Sequence, residues 1–97
     1  MAKIKIIQKG RSGTIQYIEG GLFNKKTYEF YWEFGGADTV AMIWFPKTNA
    51  EWDKAYPWAI GRRMDIVKDM AEQVRKQKSP TSTLKWEDGI VLLVSKS

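Results

Sequence analysis

The 97-residue sequence predicts an α+β fold. We expect an antiparallel sheet of about four to six strands in the order ββββ, helix, ββ, with one long amphipathic helix packed on one face. Three observations carry this. Residues 27–34 alternate aromatic with polar side chains, the period of a strand with one buried face. Residues 60–74 repeat apolar side chains at three- and four-residue spacing, the period of a helix with one buried stripe. Turn-forming sequences separate the remaining short runs rich in β-branched residues.

Taken in order, Ala2–Ile7 and Thr14–Glu19 each place isoleucines at alternate or adjacent positions. Lys9-Gly10-Arg11-Ser12-Gly13 between them has turn chemistry, so the pair predicts a hairpin. After Gly20-Gly21, a loop through Asn24-Lys25-Lys26 leads to the strand Thr27–Phe34. There Tyr28, Phe30, Trp32 and Phe34 share one face, and Thr27, Glu29, Tyr31 and Glu33 share the other. Gly35-Gly36 separates this strand from Asp38–Phe45, which is apolar on both sides. Val40, Met42 and Trp44 form one face, Ala41, Ile43 and Phe45 the other, and such a strand needs cover on both.

Pro46 closes that strand. Thr48 and Glu51 have capping-box spacing, which predicts a short helix from Asn49 to Tyr56. Pro57 suits the first position of the long helix, whose stripe is Ile60, Met64, Val67, Met70, Ala71 and Val74 and which ends near Lys78. The tail, Thr83–Glu87 and Ile90–Ser95 around Asp88-Gly89, predicts a second hairpin. Four antiparallel strands followed by a helix resemble the unit of Whirly and coactivator-type single-strand DNA binders. That resemblance implies a dimeric curved sheet reading DNA through basic and aromatic residues; the C-terminal hairpin departs from it.

At this length the chain makes one domain with one core. The sequence has neither cysteine nor histidine. This removes disulfides, thiolate chemistry, sulfur-based zinc sites and the commonest general base. No cofactor motif is present: Gly10-Arg11-Ser12-Gly13 lacks nucleophile-elbow spacing, and the glycine pairs lack phosphate-loop spacing. Without an apolar leader or an apolar run of about 18 residues, the expectation is a cytoplasmic protein with no membrane association.

The net charge of +5 is unevenly spread. Residues 1–26 hold six lysines and arginines against one glutamate, whereas residues 27–57 hold two against five acids. Ten of the thirteen aromatic side chains lie between Tyr28 and Trp58, nine of them inside that acidic segment. Nucleic-acid platforms combine aromatics with positive potential, so this distribution disfavours a nucleic-acid partner.

The candidate ligand site is the corner around Tyr56-Pro57, where Trp52, Tyr56 and Trp58 precede Arg62 and Arg63. Arginine beside an aromatic cleft can anchor a carboxylate or phosphate. The same aromatics could simply fill the groove between helix and sheet. Tyr31, Ile43 and Phe45 are expected on the sheet face away from the helix, where they would form the interface of a homodimer. Glu29 and Glu33, four residues apart on a strand, are separated by roughly 13 Å, beyond the roughly 5–9.5 Å of glycosidase carboxylate pairs. The expectation is a non-enzymatic binding or adaptor domain that takes a small anionic ligand or partner peptide. Two alternatives follow it: a single-strand nucleic-acid binder using Lys3, Lys5, Lys9, Arg11 and the lysines of the long helix around Tyr31, and a carboxylate enzyme using Glu29, Glu33 or Asp38.

Overall fold

The computed structural model describes residues 2–95. Its strands are β1 (Lys3–Lys9), β2 (Ser12–Glu19), β3 (Lys26–Phe34), β4 (Thr39–Trp44), β5 (Thr83–Glu87) and β6 (Ile90–Val94). They form one six-stranded sheet in the order β1-β2-β3-β4-β6-β5, every neighbouring pair antiparallel. The chain is therefore α+β as the patterning predicts, with two helices, α1 (Asn49–Ala55) and α2 (Arg63–Lys78), between β4 and β5. β6 pairs with both β4 and β5, so the C-terminal hairpin extends the sheet as a unit.

One face of the sheet is covered. Ile15, Tyr17, Tyr28, Phe30, Trp32, Ile43, Val91 and Leu93 pack with Ile66, Val67, Met70, Ala71 and Val74 of α2 and Trp52 of α1 in a single core. Burying each large apolar side chain contributes about 1.5–3 kcal/mol, so this face supplies most of the driving force. Trp32 spans two strands to do so. Its indole Nε1 donates to the Ile7 carbonyl on β1, 3.2 Å away, passing over Gly13 of β2. A Cβ at Gly13 would lie 1.9 Å from that carbonyl oxygen, so only glycine admits the crossing.

The registers correct one expectation. Trp32 pairs with Ile43 and Tyr31 with Trp44, so odd-numbered residues of β4 share a face with even-numbered residues of β3. Ile43 (0% exposed) and Phe45 (9%) consequently lie in the core beneath the helices, not beside Tyr31. Tyr31 is on the open face, 49% exposed, and its neighbour there is Trp44, with ring centroids 5.4 Å apart.

A second correction concerns the helix start. Pro57 opens a three-residue 3-10 turn, Pro57–Ala59, and not α2. Gly61 follows with φ of +78°, a left-handed conformation that breaks the helical path. The Asp53 carboxylate accepts from the Gly61 N–H at 3.0 Å and holds the turn to α1. Ile60 is thereby turned outward, 66% exposed, and is no part of the α2 stripe. At α1, Thr48 Oγ1 accepts from the Glu51 N–H (3.1 Å), as the cap pattern requires. The reciprocal bond is displaced by one residue, because the Glu51 carboxylate accepts from the Lys47 N–H at 3.3 Å.

Candidate functional site

Three regions compete for a functional role: the aromatic corner, the open sheet face and a cavity beneath α2. The corner is built from the ends of β2 and β3 against α1 and the 3-10 turn. Trp52 is fully buried, stacked on Tyr28 at 5.6 Å with its ring 9° from parallel, and its Nε1 donates to the Ala59 carbonyl at 2.9 Å. The Tyr56 hydroxyl bonds the backbone of Glu29, accepting from its N–H and donating to its carbonyl, both at 3.3 Å. Trp58 lies at the rim, with the Lys26 ammonium 5.3 Å from its ring centroid. Thus Trp52, Tyr56 and Trp58 do meet, around Tyr28.

Their arginines are occupied. Arg62 forms a two-pronged ion pair with the Glu19 carboxylate, which also accepts from the Tyr28 hydroxyl at 2.8 Å. Arg62 holds the Glu19 carboxyl below the usual carboxylate range, and Glu19 in turn raises the Arg62 guanidinium. Burial first, then the bond to Glu19, pushes the Tyr28 hydroxyl up; burial and the bond to Asp69 do the same for Tyr17. Arg63 is held elsewhere. Its Nε donates to Asn49 Oδ1 (2.8 Å), its Nη1 to the Pro46 carbonyl (3.2 Å), and its guanidinium lies 6.0 Å from the Phe45 ring centroid. Both arginines therefore spend their donors on the chain itself.

The open face presents Tyr31 and Trp44 on the two central strands. Lys3, Lys5 and Lys9 share this face but stand on β1, two strands from Tyr31 or about 10 Å. Glu29 and Glu33 flank Tyr31 on its own strand; Glu29 accepts from Gln16 and Glu33 from the Tyr31 hydroxyl. A phosphate backbone over Tyr31 would meet two carboxylates before any lysine.

Two concavities stand out among the described residues. The larger is an open groove along Glu72, Arg75 and residues 80–84, in which Arg75 is already bonded to Glu72 and to the Pro80 carbonyl. The smaller is a cavity of about 170 Å³ between the sheet and the C-terminal half of α2. Ile6, Ile15, Trp32, Phe34, Val40, Ala41, Ile43, Val74 and Leu93 wall it, and only Gln8 and Lys78 add polar atoms. Because the Trp32 N–H is engaged by Ile7, the indole offers this cavity only its apolar ring. Neither concavity touches Trp58, Arg62 or Arg63.

Sequence periodicity missed this cavity, since its walls come from five strands and α2, which no local pattern brings together. The apolar tip of the β2–β3 loop was likewise missed, where Leu22 and Phe23 are 94% and 96% exposed. Among the described residues no helix is long and apolar enough to cross a membrane. No protein-family description, curated protein or solved structure matches the chain.

Proposed function

We propose that this chain is a non-enzymatic binding domain for a small anionic ligand, held in the cavity under α2 and not between Trp58 and Arg62. The observation that carries the reading is the cavity's composition: apolar walls around about 170 Å³, with the Lys78 ammonium as its one charged group. A dry apolar cavity of about 150 Å³ takes a molecule the size of benzene. The fitting ligand is a single-ring or short-chain carboxylate, its body among Trp32, Ile43, Val74 and Leu93 and its charge toward Lys78. Among the described residues Lys78 has no carboxylate within ion-pairing distance, unlike Arg62 and Arg75. The lining contains no carboxylate, hydroxyl, thiol or imidazole, and its one titratable group, Lys78, is exposed and has no second titratable group beside it in the lining to act as its proton partner, which favours binding over catalysis.

The test is a methyl-detected NMR titration with benzoate, hexanoate and neutral benzyl alcohol. Shifts are expected at Ile43, Val74 and Leu93. Lys78→Gln should weaken the carboxylates severalfold, matching the ~0.5–1 kcal/mol of a partly exposed ion pair, and leave benzyl alcohol unchanged. Shifts gathered at Trp58 and Arg62 would return the ligand to the aromatic corner, and silence at both places would end the small-ligand reading.

A further inference from the structure

The open sheet face carries an arrangement independent of the cavity, which lies on the other side of the sheet. The registers set its side chains in rows across four strands. One row runs Glu33 on β3, Met42 on β4, Leu92 on β6 and Lys85 on β5. The adjacent row runs Tyr31, Trp44, Ile90 and Glu87. Each has two apolar side chains at its centre and a pair of complementary polar ends, an acid against an ammonium in one and a phenol against an acid in the other. Such a row complements its own reverse.

We propose that this face binds a second copy of the chain about a two-fold axis that runs parallel to the strands between β4 and β6. The rotation lays β3 on the partner's β5 and β4 on the partner's β6 while leaving each row at its own height. Glu33 then meets the partner's Lys85, Met42 meets the partner's Leu92, Trp44 meets the partner's Ile90, and the Tyr31 hydroxyl meets the partner's Glu87. An axis across the strands would instead lay β3 on β3 antiparallel and, centred at Tyr31, set Glu29 against the partner's Glu33. Sheets that pack face to face keep their strands within about 30° and about 10 Å apart, and two adjacent central rows are the part of the face that stays aligned under that twist. The apolar centre is available, since Tyr31 is half exposed and Met42, Trp44, Ile90 and Leu92 are only partly buried by their own chain; the polar ends pair along their own strands, Tyr31 with Glu33 and Lys85 with Glu87, in solvent-exposed contacts that docking would exchange for the partner's. Four strands make a patch about 19 Å wide, near the small end of stable interfaces, so the dimer should dissociate in the micromolar range.

Within one chain Glu33 and Lys85 stand three strands apart, about 14 Å, so a coupling between them reports contact between copies. Sedimentation velocity across the micromolar range should show the wild-type chain passing from monomer to dimer as its concentration rises. Glu33→Lys and Lys85→Glu should each weaken it at least tenfold, by opposing like charges. The doubly substituted chain should dimerise again, and an equimolar mixture of the two single variants should pair with each other. Lys3→Glu, on the same face but outside both rows, should leave the dimer intact. Melting curves by circular dichroism establish that each variant is folded; should one single variant fail to fold, the doubly substituted chain against Lys3→Glu still decides. A monomeric wild type overturns the proposal. So does a doubly substituted chain no tighter than the foldable single variant, or binding of a single-stranded oligonucleotide at Tyr31 in place of the second copy.

Discussion

Glu19 accepts hydrogen bonds from the Tyr28 hydroxyl and from two nitrogens of Arg62, and so ties the end of β2 to the core and to the start of α2. Its carboxyl is held below its ordinary value, chiefly by Arg62. The sign follows from linkage: the stabilisation is fully present above the unfolded glutamate value, about 4.3, and is lost as pH falls through the lower folded value. Urea denaturation between neutral pH and pH ~3 should therefore show a steep acid loss in the wild type. Glu19→Gln should be less stable at neutral pH and show a shallower acid slope; parallel curves for the two would remove Glu19 from the account. Arg62 is one of the two arginines, with Arg63, expected to anchor a ligand from their place beside the aromatics. Its actual partner is 43 residues earlier in the chain, a distance across which spacing arguments carry no information.

Among the elements, those with a strict period were legible and those fixed by a single backbone angle were not. Tyr28, Phe30 and Trp32 alternate with polar neighbours, and they form the buried face of β3. In β4 both alternations are apolar, so its facing depended on the β3–β4 register, which loop geometry sets. That is why Ile43 was misplaced. Ile60 fits the helical spacing of α2 and yet lies outside it, because the left-handed Gly61 is invisible to periodicity. The two glycines separate strain from collision. Gly61 has open space where a Cβ would go, so Gly61→Ala should cost about 1–2 kcal/mol, the strain of a left-handed residue. Gly13→Ala forces a Cβ onto the Ile7 carbonyl and lifts the Trp32 indole from its acceptor; the expected loss is above ~3 kcal/mol in urea denaturation. Similar costs at both positions would mean that the Trp32 crossing is dispensable.

At the scale of the molecule, the two faces of the sheet differ: one holds the core and the cavity, and the other leaves Tyr31 half exposed. The aromatic density of residues 28–58 located the core correctly, because Tyr28, Phe30, Trp32, Phe45 and Trp52 all enter it. It could not show which aromatics remain outside, since that is decided by where β6 inserts beside β4. The same strand order leaves β1 and β5 as the two outer strands, each with one row of backbone amides and carbonyls unpaired. β1 carries Lys3, Lys5 and Lys9 at alternate or near-alternate positions, and five-residue β5 carries Lys85. Positive charge along a free strand edge discourages other strands from zipping onto it. The lysines of β1 are thus expected to keep that edge from polymerising. Lys3→Thr/Lys5→Thr/Lys9→Thr should keep its fold yet form thioflavin-positive fibrils on agitation at concentrations where the wild type stays clear, and an equally clear solution would show that the edge is protected by something other than charge.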